Sequence, residues 1–239
     1  MHLFYSPHIQ IPEHTLPPDE SLHCTRVLRL KKSDTVYLTD GKGSMCTGKV
    51  LDPDPAGCRI LITHIKENYG ARPYHLHLAV APTKNMERFE WFVEKATEVG
   101  VDIITPLICE RSERKQCKTD RVERIAISAL KQCKRAQMPA IEKAVKFEDF
   151  LKSPALEGAS AAIACCEAPG ERTPAVHWVK QAGERIVVLV GPEGDFSPAE
   201  VSAAIAAGCT PVDLGPSVLR TETAALGAVF LVAFKSLYL

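Results

Sequence analysis

The chain has 239 residues, 46% of them hydrophobic and 24% charged, with 29 basic side chains against 29 acidic ones. This composition excludes a disordered tail, a collagen-like repeat and a uniformly basic nucleic-acid coat, none of which joins so large an apolar fraction to a net charge of zero. The length fits one large domain, or a small domain joined to a medium one.

Up to Asn68, short β-type runs at 35–39, 46–51 and 59–65 are separated by the turn sequences Asp40-Gly41-Lys42-Gly43 and Asp52-Pro53-Asp54-Pro55. They predict a small β-barrel. One helix is expected across 19–27, capped by Asp19 or Ser21. The polar segment 67–73 marks a boundary, giving domains at 1–72 and 73–239. Beyond it, 75–81 alternates as a strand does, and Met86, Phe89, Val93, Ala96 and Val99 recur at helical spacing until Gly100 supplies a stop. Residues 101–109 read as a buried strand. A second helix is expected over 120–135, with Asp120 as N-cap, Glu123 as its capping-box partner, and Val122, Ile125, Ala129 and Cys133 facing inward. Three strand-then-helix pairs follow: 159–166 with 174–183, 185–190 with 198–207, and 210–214 with 221–238. Repetition of this kind predicts an α/β domain with a mostly parallel sheet covered by helices.

The zero net charge is a cancellation between regions. Residues 111–135 hold nine basic side chains against three acidic ones, 26–49 hold six against two, and 148–213 hold four against ten. Clustered Arg and Lys attract phosphates, and release of counterions makes such patches productive on nucleic acid; a solvated helix face and loop is the competing reading. The nine cysteines contain no C-x-x-C pair and read as reduced, mostly buried thiols; their spacing fits no zinc finger or ribbon, so no metal site is expected. His8, His14, His23 and His64 are assigned to surface or turn positions. No apolar run approaches the ~20 residues that span a bilayer, and the first residues lack the pattern of a secretory signal, so a cytoplasmic location without membrane attachment is expected.

The most informative stretch is Val190-Gly191-Pro192-Glu193-Gly194-Asp195-Phe196-Ser197-Pro198-Ala199-Glu200, in which a buried strand enters a glycine-bearing loop. Ser197 as N-cap, Pro198 at N1 and Glu200 at N3 announce the next helix. The loop therefore lies at the carboxyl end of a parallel strand, where open α/β sheets bind ligands. It is neither a P-loop nor a G-x-G-x-x-G turn, and Glu193 would repel a phosphate. A strand-to-helix turn that simply needs glycine is the alternative. The pattern recurs at Val212-Asp213-Leu214-Gly215-Pro216-Ser217-Val218-Leu219, before Arg220-Thr221-Glu222-Thr223 opens a helix. That helix is apolar nearly all round over 224–234, which requires burial within the fold or against another copy; a dimer interface is favoured. Exposed main-chain groups beside Leu189, Leu214 and Leu219 can hold a flat heterocycle.

Taken together, Gly191-Pro192-Glu193-Gly194 with Phe196, Ser197 and Glu200, and Leu214-Gly215-Pro216 with Leu219-Arg220-Thr221-Glu222-Thr223-Ala224, resemble the bacterial 16S ribosomal RNA uridine-N3 methyltransferases of the SPOUT superfamily. The resemblance extends to Glu87-Arg88, Glu94-Lys95-Ala96-Thr97-Glu98-Val99-Gly100-Val101, Glu110-Arg111-Ser112, Gln132-Cys133 to Arg135 with Pro139-Ala140-Ile141, and Cys24-Thr25-Arg26-Val27-Leu28-Arg29-Leu30 with Asp40-Gly41-Lys42-Gly43. Nearly the whole chain is covered. Three residues depart from the family pattern: Asp195 replaces a second glycine, Ser217 stands where arginine is usual, and His2 stands where arginine is usual.

The resemblance implies an N-terminal PUA-like RNA-binding barrel, a C-terminal SPOUT domain knotted as a trefoil, and a homodimer. It implies S-adenosylmethionine as cofactor, held by Leu189, Gly191, Pro192, Glu193, Gly194, Leu214, Gly215, Leu219 and Ala224. The substrate implied is a uridine in 16S ribosomal RNA, free or in the small ribosomal subunit. A uridine N3–H is a weak acid that base pairing hides, so the base must be taken unstacked or single-stranded. Arg220 is expected to stabilise the uracil anion or position a phosphate, and Glu222 to accept the proton; capping of the last helix is the competing role for both. Arg26, Arg29, Arg111, Arg114 and Arg135 are the expected RNA contacts. A SPOUT enzyme acting on a transfer RNA base or ribose, and a non-catalytic RNA-binding relative with its lesion at Asp195, are the rival readings. The barrel argues against the first, and a dehydrogenase fails for want of the dinucleotide fingerprint.

Overall fold

The computed structural model describes residues 2–238. The chain folds as two compact units: one holds the chain up to Ala71 together with Ile127–Met138, the other Arg72–Ala126 and the chain from Pro139 onward.

In the first unit β1 (Leu3–Tyr5) and β2 (Glu13–Thr15) precede α1 (Pro18–Leu22), which continues into a π-helical turn at His23–Val27; β3 (Thr35–Thr39), β4 (Met45–Asp52) and β5 (Arg59–Lys66) follow. The sheet order is β1-β3-β4-β5-β2, with β1 parallel to β3 and the other pairs antiparallel. Strand alternation turns Val36, Leu38, Cys46, Val50, Ile60 and Ile62 into a core shared with Phe4 and Leu16. Neither expected cap operates on α1. The helix starts at Pro18, where the fixed φ and missing N–H of proline suit the first turn. The Ser21 hydroxyl is instead buried, donating to the Leu16 carbonyl and accepting from the Cys58 amide, both at 2.9 Å. His14 is likewise buried rather than on the surface: it is the inward residue of β2, its Nδ1 accepts from the Gln10 amide at 3.3 Å, and burial lowers its pKa. Residues 127–138 complete the unit, since the Gly43 amide donates to the Ala136 carbonyl at 2.8 Å and the Met138 amide to the Gly41 carbonyl at 2.9 Å.

The second unit is built on β6 (His75–Val80), α2 (Met86–Val99), β7 (Ile103–Ile108), α3 (Thr119–Cys133), β8 (Ala140–Ile141), β9 (Val145–Lys146), α4 (Phe147–Leu151), β10 (Ser160–Ala164), β11 (Thr173–Pro174), α5 (Ala175–Gln181), β12 (Arg185–Val190), α6 (Pro198–Ala206), β13 (Thr210–Asp213) and α7 (Thr221–Tyr238). Of these, α3 passes at Ile127 into the first unit. The strand order is β11-β13-β10-β12-β6-β7-β8, every pair is parallel, and β9 pairs with β7. Both faces of this sheet are covered. Val187 and Leu189 join Phe147, Phe150, Phe196 and Val201 on the face of α4 and α6, while α7 packs on β6, β12, α2 and α5. At ~1.5–3 kcal/mol for each large apolar side chain removed from water, these layers dominate the stability of the unit.

Two expectations shift here. Asp120 lies in the first turn of α3, not at its cap, because the helix begins at Thr119; the buried stripe runs through Val122, Ala126, Ala129 and Leu130, with Ile125 and Cys133 half-buried at its edge. Within the sheet, His77 is buried; its Nε2 lies 2.7 Å from the Thr105 hydroxyl, which itself donates to Glu142 at 2.6 Å. The hydroxyl has one proton, so His77 is the donor to it. Burial lowers the His77 pKa to about 4 and keeps the ring neutral. All nine cysteines are free thiols, six of them buried. No helix among the described residues is long and apolar enough to cross a membrane.

Candidate active site

Three loops leave the carboxyl ends of the adjacent strands β13, β10 and β12 and enclose one pocket. The loop after β12 contributes Gly191, Pro192, Glu193 and Asp195, that after β13 contributes Leu214, Gly215, Ser217, Val218 and Leu219, and that after β10 contributes Cys165, Cys166 and Arg172; Thr221 and Ala224 of α7 close the wall.

Local chemistry fixes each loop. A Cβ at Gly191 would meet the Phe196 ring at 3.1 Å and its amide at 3.2 Å, so any larger residue would have to push that ring and backbone aside. Ser197 and Glu200 form the expected capping box, Ser197 Oγ accepting from the Glu200 amide at 3.3 Å and Glu200 Oε2 from the Ser197 amide at 2.9 Å. The free Oε1 of Glu200 accepts from the Glu110 amide at 2.8 Å, so one carboxylate fixes two loops. Asp195 sits at φ 60, the left-handed region in which a glycine is at ease and Asp is among the residues that tolerate it. Its Oδ2 accepts from the Cys166 amide at 2.8 Å. The departure from glycine thus keeps the backbone and adds a tie to a neighbouring loop. Gly215, at φ 123, turns the chain after β13, and the Thr221 hydroxyl donates to the Gly191 carbonyl at 2.9 Å, joining the second loop to the first.

Of the residues expected to hold a cofactor, Gly191, Pro192, Glu193, Leu214, Gly215, Leu219 and Ala224 line this pocket. Leu189 lies buried in the sheet behind it, and Gly194 points towards Arg111, whose side chain a Cβ there would approach to 3.5 Å. Arg220 is exposed beside the pocket and Glu222 is buried at the start of α7; neither is among the lining residues. Glu222 Oε1 is 3.9 Å from Arg88 Nε, and Glu222 Oε2 is buried without a partner among the described residues. Arg111 donates from Nη1 to the Gly194 and Phe196 carbonyls at 3.0 and 3.3 Å, and Arg114 donates to the Lys84 carbonyl at 2.9 Å. Both brace main chain within their unit. Arg26 and Arg29 are exposed, Arg29 at φ 53, and Arg135 is half-buried. Sequence reasoning missed Thr221 as a loop joint, although it lies inside the quoted motif, and missed Cys165, Cys166 and Arg172 altogether, since the loop after β10 carries no motif.

Residues 71–233 match the model of an RNA methyltransferase domain. The chain belongs to the RNA methyltransferase family. Residues 16–63 match the PUA domain of RNA methyltransferases, in agreement with the barrel-like sheet of the first unit. The ribosomal RNA small subunit methyltransferase E of Synechocystis sp. is 31% identical over 214 residues, covering 88% of this chain and 69% of its own. A crystal structure from Porphyromonas gingivalis, named a probable rRNA-methyltransferase, superposes with a TM-score of 0.89 at 37% identity and 99% coverage of both chains. The ribosomal RNA small subunit methyltransferase E of Neisseria gonorrhoeae, solved bound to S-adenosyl methionine, gives a TM-score of 0.81 at 28% identity, covering 100% of this chain and 98% of that one. Family and fold thus agree with the resemblance carried by the sequence motifs.

Proposed function

We propose that this RNA methyltransferase uses S-adenosylmethionine to methylate N3 of a uridine in 16S ribosomal RNA, as a cytoplasmic homodimer. Residues 1–72, completed by the returning segment 127–138, act as the RNA-binding PUA-like domain, and the rest of 73–239 acts as the methyltransferase domain. The observation that carries this reading is the three-loop pocket at the carboxyl ends of β13, β10 and β12, in a chain whose relatives are named for ribosomal RNA methylation. The donor set fits the cofactor: apolar Val190, Leu214 and Leu219 flank main-chain groups that suit an adenine, with charged side chains nearby for its tail. We read the loops after β12 and β13 as the crossing segments of a trefoil knot, with Thr221 joined to Gly191 where they meet.

When bound, S-adenosylmethionine supplies an electrophilic methyl group. The protein must align the acceptor nitrogen with it and remove one proton; orientation alone is worth roughly 7–11 kcal/mol in favourable cases. Glu222 is assigned the proton from N3, directly or through one water, because its buried and unpartnered Oε2 is a ready acceptor. Arg220, exposed at the mouth, is assigned the uracil anion or a flanking phosphate. Arg26, Arg29, Arg111, Arg114 and Arg135 are assigned to RNA. The dimer reading is supported by Phe230 and Phe234 on α7, 39% and 48% exposed, and by Trp91 on the adjoining α2, 45% exposed, an apolar set that a second copy would cover.

The deciding experiment incubates small ribosomal subunits from a strain lacking this methylation with the protein and labelled cofactor, then maps the modified RNA fragment by mass spectrometry. The expected product is a single N3-methyluridine in 16S RNA. Label on transfer RNA, on a ribose oxygen, or nowhere would overturn the assignment.

A further inference from the structure

S-adenosylmethionine carries two positive groups, a sulfonium and an ammonium, and one negative group, a carboxylate. The described residues that line the three-loop pocket include one cation, Arg172, and two carboxylates, Glu193 and Asp195. The pocket is therefore the inverse of its proposed ligand in number and sign. Within the protein, Glu193 Oε1 accepts from the Lys84 amide at 2.9 Å and Asp195 Oδ2 from the Cys166 amide at 2.8 Å. Among the described residues Arg172 spends only Nη1, on the Cys165 carbonyl at 2.9 Å. A guanidinium has five N–H donors, so Nε and Nη2 remain for a planar acceptor such as a carboxylate.

The two ties fall on consecutive residues. Arg172 folds back onto the Cys165 carbonyl, and the N–H of that same Cys165–Cys166 peptide is held by Asp195 from the glycine loop. A glycine at position 195 would keep the backbone path but leave the Cys166 amide unheld.

We propose that Arg172 binds the carboxylate of the cofactor's amino-acid tail and that Asp195 is the positioning residue that holds the Arg172 loop against the pocket. The proposal rests on the cofactor reading above and names the residues that read one end of that cofactor. It gives Asp195 a purpose: the exchange of glycine for aspartate trades some backbone ease for a fixed neighbouring loop.

The test compares S-adenosylmethionine with its decarboxylated form, which keeps adenosine, sulfonium and ammonium and lacks only the carboxylate, by calorimetry on the full chain. The wild-type protein is expected to prefer the carboxylated ligand by about tenfold, the scale of one charge-assisted contact at a partly exposed site. Arg172→Ala should erase that preference while leaving affinity for the decarboxylated ligand unchanged, which also reports that the pocket is intact. Arg172→Lys should keep part of the preference, having the charge without the fork. Asp195→Gly should reduce the preference severalfold, and Asp195→Asn, whose amide oxygen still accepts from Cys166, should restore it. Equal weakening of both ligands by Arg172→Ala, or an unchanged ratio, would overturn the proposal alone. Failure of the wild-type protein to bind either ligand would overturn the cofactor reading and the proposal with it.

Discussion

The two units present their chemistry in different material. In the second, the pocket is made of main chain: Gly191, Pro192, Leu214 and Gly215 offer backbone where strands end, and side chains such as Thr221, Glu200 and Asp195 tie the loops together. In the first, the basic face is made of side-chain tips, with Arg26 and Arg29 exposed on a helical turn and the segment after it. A pocket of main chain demands particular residues at particular places, because only they permit the turns. A charged face demands only sign and reach, and many sequences supply it.

That contrast can be broken at its strongest point. Glu222→Gln, a change of one atom at the buried start of α7, is expected to lower the rate of methyl transfer by about 100-fold or more, with cofactor affinity by calorimetry unchanged. An unchanged single-turnover rate would return Glu222 to a purely structural place at the start of α7. Arg220→Ala should lose turnover in the same assay.

Both units also bury a histidine, and pH should separate them. Burial lowers the pKa of His14 in the first unit and of His77, to about 4, in the second. A neutral ring is favoured in each fold, so the contribution is complete above the unfolded value near 6.5 and is lost as pH falls towards the folded one. For His77, facing Thr105, Glu142 and Phe150, the loss between about pH 6.5 and 4 should be on the order of 2–3 kcal/mol, read from urea midpoints. His77→Asn should flatten that part of the profile, and a midpoint that keeps its full pH dependence in the variant would remove His77 as its source.

The smallest expected effect lies on the basic face. Replacing Arg26 and Arg29 together by Glu should weaken RNA binding by about tenfold and reduce the salt dependence by about two in log–log slope, leaving cofactor affinity untouched. A full salt slope in the double variant would place the RNA elsewhere.

The same difference in material explains what could be read beforehand. β3, β4 and β5 were legible because each turns a run of alternate residues into the core, whereas β1 and β2, three residues each, offer too little periodicity. Ser197 and Glu200 were legible as a capping box because both partners are spelled by local chemistry. Ser21 was misread because its hydroxyl serves Cys58, just ahead of the distant strand β5, and no local pattern announces that. Arg172 left no mark at all: its importance comes from where β10 ends in space, beside two loops that are far away in the chain. Asp120 shows the ordinary uncertainty of a helix start, one residue from Thr119.

The return of residues 127–138 to the first unit has a consequence for how the protein is made. The turn at Gly41 and Gly43 takes two of its hydrogen-bond partners from Ala136 and Met138, far along the chain. On a ribosome, β5 is synthesised long before those partners exist, so the turn stays without them while β6, α2, β7 and the whole of α3 are translated. Cutting the chain after its first sheet would therefore not liberate a finished module. The order of synthesis makes completion of the first unit wait on chain made after the first strands of the second.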